Sequence, residues 1–270
     1  MQRGKNPGGL RLAAWGVHFF TASGALFGLL ALLAVENGHA KAAFLWMLVT
    51  LVIDGLDGPL ARLVHVREVL PRIDGVSLDL IVDYLTYVIV PALFFYRLNL
   101  LPENWSLFAA ALILVASQYH SANLDQKTPD YYFRGFPAWW NVLAFYLYVF
   151  HPPAWINLAL VVFFAISTFV PGMLFLHPLR AREWKPFTIG VLAIWTMGNI
   201  AILWQLPTPS NWLLWLSLAG LVYLMARCVI RMVTGAAPPN QSISAPATQT
   251  EPKIKPMTKN DAGELADAER

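Results

Sequence analysis

Four aspartates stand in a short part of the chain, in two pairs at helical spacing. Asp54 and Asp57 lie three residues apart, and Asp79 and Asp83 lie four apart, so each pair falls on one face of a helix. Both pairs adjoin long apolar runs, where a charged residue costs roughly 2.5–3.5 kcal/mol to insert into a membrane. Carboxylate oxygens are the ligands that Mg²⁺ and Mn²⁺ prefer, commonly together with substrate phosphates. The spacing therefore predicts two adjacent helices that bind divalent cations.

Small and basic residues accompany these aspartates. Gly58 follows Asp57 directly and leaves the backbone open to a ligand, and Gly75 precedes Asp79 by one turn, where it allows close helix contact. Arg62 lies on the same helix face as Gly58, and its guanidinium has the geometry to bind a phosphate through two hydrogen bonds. The pattern predicts a phosphate site beside the metal.

At these positions the chain resembles the CDP-alcohol phosphatidyltransferase family, whose signature is D-x2-D-G-x2-A-R, a spacer, and G-x3-D-x3-D. The eight fixed positions are Asp54, Asp57, Gly58, Ala61, Arg62, Gly75, Asp79 and Asp83. The spacer between Arg62 and Gly75 has twelve residues, which is longer than in most of the family. This spacer and the stretches 14–26 and 133–141 are similar to those of the bacterial phosphatidylcholine synthases, and the likeness reaches to about residue 234.

The resemblance implies an enzyme that transfers the phosphatidyl group of CDP-diacylglycerol to choline, with Mn²⁺ or Mg²⁺ as cofactor, two ions in the site, and a homodimer. It assigns Asp54, Asp57, Asp79 and Asp83 as metal ligands, and Asp83 also as the group that accepts the proton of the alcohol. It assigns Gly58, Ala61 and Arg62 to binding of the nucleotide and its phosphates. Gly75 is assigned to helix packing at the site. The acceptor alcohol stays open, because serine, inositol or glycerol phosphate would use the same chemistry.

Two further interpretations of the aspartates are less favoured. Intramembrane carboxylates also form relays in transporters, but these cluster near one membrane face and the chain shows no internal repeat. Buried salt bridges with arginine explain one aspartate more readily than four at this spacing. Asp74 stands outside the signature and is predicted to be a helix N-cap or a solvated charge. The histidines form no pair spaced for zinc.

The composition is that of a membrane protein. Of 270 residues, 57% are hydrophobic and 13% are charged, and the mean hydropathy is +0.52, which is too apolar for an ordinary soluble domain. The net charge of +3 and pI near 9.0 do not indicate nucleic-acid binding, because the basic residues are scattered at the ends of apolar runs. The single cysteine, Cys228, excludes an internal disulfide and indicates simple packing.

The apolar runs predict an all-α polytopic membrane protein with about eight spans. These are residues 10–35, 42–63, 76–98, 104–122, 136–150, 154–177, 187–205 and 211–234. Basic residues are more frequent in alternate connections, which favours both termini in the cytoplasm of a bacterial inner membrane and places the aspartates at the cytoplasmic face. The predicted membrane domain is 1–235, followed by a polar, disordered cytoplasmic tail, 236–270.

The segment 117–141 is the longest predicted loop and is rich in aromatic residues. Tryptophan and tyrosine at helix ends usually form an interfacial belt. The second interpretation is that some of them surround the quaternary ammonium of choline by cation–π attraction. On that interpretation the candidate choline contacts are Tyr131, Trp139, Trp140 and Asn141.

Overall fold

The protein is described from a computed structural model, which covers residues 7–177 and 185–235. The predicted tail, 236–270, lies outside these ranges. So do residues 1–6 and 178–184, whose basic residues contributed to the predicted orientation. The helices within them are α1 (Pro7–Glu36), α2 (Ala40–Val64), α3 (Val66–Val69), α4 (Gly75–Asp83), α5 (Val90–Arg97), α6 (Ser106–Ala122), α7 (Trp140–Phe150), α8 (Ala154–Ser167), α9 (Lys185–Gln205) and α10 (Asn211–Thr234). A π-helical segment, Tyr84–Ile89, joins α4 to α5 without a break, and a 3₁₀ turn, Glu103–Trp105, precedes α6.

The predicted class of all-α polytopic membrane protein is confirmed. Five of the described helices are long and apolar enough to cross a membrane, namely α1, α2, the continuous helix Gly75–Arg97, α9 and α10. Helices α6, α7 and α8 occupy the remaining predicted spans and are shorter, with 17, 11 and 14 residues.

Two predicted span boundaries are wrong. The span at 136–150 becomes helical only at Trp140, because Pro137 and the positive φ of Ala138 keep the preceding backbone out of a helix. The span at 154–177 stops being helical after Ser167, and a turn containing Pro171 follows. The start of the predicted loop 117–141 is also corrected, since its first residues, 117–122, belong to α6.

A short antiparallel pair of strands stands outside the predicted all-α pattern. The strands β1 (Tyr132–Arg134) and β2 (Leu174–Leu176) pair with Tyr132 opposite Leu176. The Leu176 amide donates a hydrogen bond to Cys228 Sγ at 3.2 Å, so the ladder rests on α10. Cys228 is buried there as a free thiol, in agreement with the packing role predicted for it.

Helix α1 lies against the helix that carries Asp79 and Asp83. A Cβ atom on Gly24 would lie 2.6 Å from Val82 Cγ1, and one on Gly28 would lie 2.8 Å from Leu85 Cδ2. These distances are shorter than any ordinary carbon contact, so only glycine permits this approach. The pair of glycines one turn apart therefore fixes the depth and separation at which α4 meets α1.

Charged residues at the far end of the bundle are paired. The Arg97 side chain donates from Nε to Glu36 Oε2 at 2.8 Å, which joins the end of α1 to the end of α5. Lys41 Nζ donates to the Trp204 carbonyl at 2.7 Å and lies over that indole ring. These contacts anchor α1, α2, α5 and α9 at the end of the bundle away from the aspartates.

Candidate metal and phosphate site

Three of the four predicted metal ligands meet at one point between α2 and α4. One carboxylate oxygen from each of Asp54, Asp57 and Asp79 lies within 4.8 Å of the other two. Asp57 is buried, and the other two are half-buried. Like charges this close repel, by about 4 kcal/mol at 4 Å and an effective dielectric of 20. The donor set is made of hard oxygens only, which fits Mg²⁺ or Mn²⁺.

The local sequence opens the backbone beside these aspartates. Pro59 lies inside α2 and has no amide hydrogen, so the carbonyl of Gly55, four residues earlier, loses its helical hydrogen bond. Helix α4 starts at Gly75, and Asp74 caps it by accepting a hydrogen bond from the Val76 amide at 3.1 Å. Hydrogen bonds from the Ser77 hydroxyl and the Val76 amide lower the pKa of Asp74. The predicted N-cap is confirmed.

Two hydroxyl groups from outside the signature hold the first two aspartates. Tyr87, in the π-helical segment, donates to Asp54 Oδ2 at 2.6 Å. Thr21, on α1, donates to Asp57 Oδ2 at 3.0 Å. Sequence reasoning missed both residues. The available signal for Tyr87 was its spacing, since it continues the four-residue series begun by Asp79 and Asp83.

Asp83 lies one turn beyond Asp79 and outside the group of three. Its charge interacts with those of Asp54, Asp57 and Asp79, so it belongs to the same site. Its Oδ1 atom is buried and has no hydrogen-bond partner. A buried carboxylate oxygen left this way is costly unless a donor or a cation reaches it. The orphan oxygen is therefore available to a ligand.

The predicted phosphate residues lie on α2, after Asp54 and Asp57 on the same helix. Arg62 is exposed, and its Nη1 lies 3.4 Å from where a Cβ on Gly58 would stand, so the guanidinium lies over the glycine. Ala61 packs with an apolar cluster that includes Ala14. A Cβ atom on Gly75 would lie 3.2 Å from Cε1 of His18 on α1. The alanine and Gly75 thus serve close packing next to the aspartates.

The four predicted choline contacts are not brought together. Trp140 is fully buried in the core, and its indole donates to Ser117 Oγ at 2.7 Å. Asn141 accepts a hydrogen bond from the Val142 amide and lines an apolar cavity of about 110 Å³ between α2, α7 and α9. Tyr131 lies in a turn with a φ of +66°. Trp139 alone lies in an aromatic group near the aspartates.

That group, the Phe133 cluster, consists of Phe133, Trp139, His120 and His177. Phe133 stacks on His177 with centroids 5.2 Å apart, and the edge contact to Trp139 is 6.2 Å. Lys127 Nζ lies 5.1 Å from the centroid of the Phe133 ring, and its charge also acts on Asp79 and Asp83. Lys127 therefore connects the cluster to the aspartate site, which the sequence did not predict.

Comparison with known proteins agrees with this geometry. The sequence profile of the CDP-alcohol phosphatidyltransferase family matches residues 18–169, which include all four aspartates. The chain belongs to the CDP-alcohol phosphatidyltransferase family. The resemblance seen in the signature is thereby confirmed, and the chain is a transferase and an integral membrane protein. The divalent-metal dependence of this family fits the three gathered carboxylates.

Individual relatives are similar over most of the chain. A phosphatidylcholine synthase of Pseudomonas aeruginosa is 45% identical over 218 residues, covering 81% of this chain and 91% of that protein. One of Rhizobium johnstonii is 38% identical over 214 residues, covering 79% and 88%. One of Legionella pneumophila is 38% identical over 215 residues, covering 77% and 83%. The likeness therefore includes α9 and α10, outside the family profile.

Proposed function

We propose that the protein is a phosphatidylcholine synthase, which transfers the phosphatidyl group of CDP-diacylglycerol to choline and releases CMP. The observation that carries the proposal is the three-carboxylate site of Asp54, Asp57 and Asp79 beside the orphan oxygen of Asp83. The choice of choline is supported by the relatives of that name at 34–45% identity.

The aspartates divide the chemistry between them. Asp54, Asp57 and Asp79 would hold two Mn²⁺ or Mg²⁺ ions, with Asp83 as an additional ligand. Bound divalent cations neutralise the charge that builds on the diphosphate as CMP leaves. Asp83 accepts the hydroxyl proton of choline while the choline oxygen forms its bond to the phosphatidyl phosphorus. The bond between that phosphorus and the bridging oxygen of CMP breaks, and CMP leaves with the bonding electrons.

Basic residues bind the phosphates of the nucleotide. Arg62 is exposed over the small surface of Gly58, where a planar guanidinium has room to bind two phosphate oxygens. Ala61 completes that face of α2 as a small packing residue. Lys127 provides a second positive charge near Asp79 and Asp83, from the loop between α6 and β1.

The choline pocket is proposed to lie at the Phe133 cluster. Of the four candidates, Trp139 belongs to this cluster, and Phe133 joins it as a contact. The aromatic rings of the cluster support this assignment, because aromatic faces attract quaternary ammonium groups. The other three candidates then support the loop. Trp140 packs in the core, Tyr131 forms a tight turn, and Asn141 lies at the N-terminus of α7.

The finer location and assembly are also proposals. The site opens on the end of the bundle with Arg62, Arg67 and Lys127, whereas Lys41 and Arg97 are at the other end. This bias supports an active site facing the cytoplasm of a bacterial inner membrane. A homodimer is proposed from the family resemblance, and native mass spectrometry of the detergent-solubilised protein tests it.

The deciding experiment is a radiolabel transfer assay on the purified full-length chain. CDP-diacylglycerol and Mn²⁺ are supplied with labelled choline, serine, inositol or glycerol 3-phosphate in separate reactions, and Asp83→Asn is assayed in parallel. Label is expected in lipid only from choline and is expected to be lost in the variant. Label from another alcohol would keep the transferase and overturn the acceptor. Full activity of Asp83→Asn would overturn the role of that carboxylate.

A further inference from the structure

The π-helical segment Tyr84–Ile89 begins directly after Asp83. Such wide turns are rare and are frequently found at functional sites. Because each residue of a π-turn advances by a smaller angle than in an α-helix, Tyr87 returns to the face that carries Asp79 and Asp83. The irregularity therefore places one phenol hydroxyl in the aspartate site, and it reaches across to Asp54 on α2.

The contact between Tyr87 and Asp54 is short and comes from a well-held side chain. The hydroxyl lies 2.6 Å from Asp54 Oδ2, and the ring packs against the main hydrophobic core. Thr21 makes the equivalent contact to Asp57 from a third helix, at 3.0 Å. In each carboxylate the hydroxyl donates to Oδ2 and makes no hydrogen bond to Oδ1.

We propose that Tyr87 and Thr21 are positioning residues, which fix the rotamers of Asp54 and Asp57 so that their free oxygens are presented together to a divalent cation. This inference rests on the metal assignment of the proposed function. Hydrogen bonds to ligating side chains typically change metal affinity or activity by 10–100-fold when removed. Because three carboxylates repel one another, the hydroxyls also keep the ligands in place before a cation arrives.

The chain supplies a matched control for Tyr87. Tyr84 belongs to the same π-helical segment and packs against the same core. Its hydroxyl donates to the Leu114 carbonyl on α6 at 2.9 Å, away from the carboxylates. Tyr84→Phe and Tyr87→Phe therefore each remove one hydroxyl with its hydrogen bonding, and only Tyr87→Phe releases a proposed metal ligand.

The test measures Mn²⁺ affinity directly, by electron paramagnetic resonance of free Mn²⁺ titrated into the purified full chain without substrate. Tyr87→Phe is expected to raise the dissociation constant about 10–100-fold, and Tyr84→Phe is expected to leave it unchanged. Thr21→Val should weaken binding in the same way, and Thr21→Ser, which keeps the hydroxyl, should restore it. An unchanged affinity in both Tyr87→Phe and Thr21→Val would overturn the inference.

Asp54→Asn separates this inference from the proposed function. It is expected to abolish Mn²⁺ binding if the site is a metal centre. If the native chain shows no saturable binding, or if Asp54→Asn binds as the native chain does, the metal assignment fails and the positioning role fails with it. If Asp54→Asn alone loses binding, the metal site stands and the role of the hydroxyls is overturned.

Discussion

Two acidic places in this protein meet opposite conditions. Asp130, in the loop before β1, is buried, and it accepts a hydrogen bond from Arg231 Nε at 2.7 Å. Asp57 is equally buried but stands among other carboxylates, and it accepts a hydrogen bond from the Thr21 hydroxyl. One acid has a cation from its own chain, and the other does not.

The paired Asp130 stabilises the fold, whereas the signature aspartates are arranged for a ligand. The Asp130 pair joins two parts of the chain 101 residues apart, so its charge is balanced when the protein folds. Among the described residues, no salt bridge within 4.0 Å involves the four signature aspartates. Their mutual repulsion lowers stability, and either protonation or the binding of a cation relieves it. The clustered carboxylates therefore favour the binding of divalent cations.

Asp79→Asn should give the largest effect that separates the two places. It removes a metal ligand but keeps the size of the side chain, and activity should fall about a thousandfold or more, because metal stabilisation amounts to several kcal/mol at 1.36 kcal/mol per tenfold. The melting temperature without metal should stay the same or rise, because one repelling charge is gone. Asp74→Asn is the control and should keep its activity, since asparagine also caps helices. If Asp79→Asn retained activity, this carboxylate would hold no metal.

Asp130→Ala should act on stability first. The change takes the buried carboxylate away from the largely buried Arg231, and breaking such a pair costs about 3–5 kcal/mol. Thermal unfolding in detergent measures it. Asp125→Ala is the matched control from the same loop, because its contact to Arg134 is 3.2 Å long but exposed, and exposed pairs contribute about 0–1 kcal/mol. Equal losses in the two variants would mean that burial does not distinguish them.

Gly24→Ala should break the helix contact beneath the aspartates. Its Cβ would meet Val82 Cγ1 at 2.6 Å, and overpacking of this kind costs about 1–3 kcal/mol. Gly16→Ala, on the same helix with no atom within 4 Å of the new Cβ, should be neutral or slightly stabilising. Both thermal stability and Mn²⁺ affinity should fall in the first variant, because α1 also carries Thr21. A neutral Gly24→Ala would mean that α4 can move away without loss.

The smallest effect is a pH dependence confined to the Asp130 pair. Burial raises the pKa of Asp130, but hydrogen bonds from Arg231 and Thr128 outweigh it, and the pKa lies below its ordinary value. The carboxylate therefore contributes stability that is fully present above about pH 4 and is lost as pH falls further. The stability difference between the native chain and Asp130→Asn should be constant from about pH 5 to 7 and shrink below about pH 4; a difference that persists in acid would contradict the pairing.

Much of the site could be predicted from the chain because its signals are local. Helical spacing places Asp54 with Asp57, and Asp79 with Asp83, on shared faces, and the Asp74 cap depends on three consecutive residues. Each of the eight apolar runs contains a helix for the same reason. The ends of the runs at 136–150 and 154–177 were wrong because apolar composition does not register where proline and strand pairing interrupt a helix.

Only the tertiary structure decided which distant groups meet. Trp140 and Trp139 are neighbours of equal type, yet one is buried against Ser117 and the other lies in the Phe133 cluster, because a helix start separates their directions. The π-turn that carries Tyr87 to Asp54 has no signature in composition. The sequence by itself determined a membrane-embedded transferase with four aspartates suited to divalent cations, since that depends on residue types at fixed spacing. Packing between helices and loops determined which other groups lie near these aspartates, namely the hydroxyls of Tyr87 and Thr21, Lys127 and the Phe133 cluster.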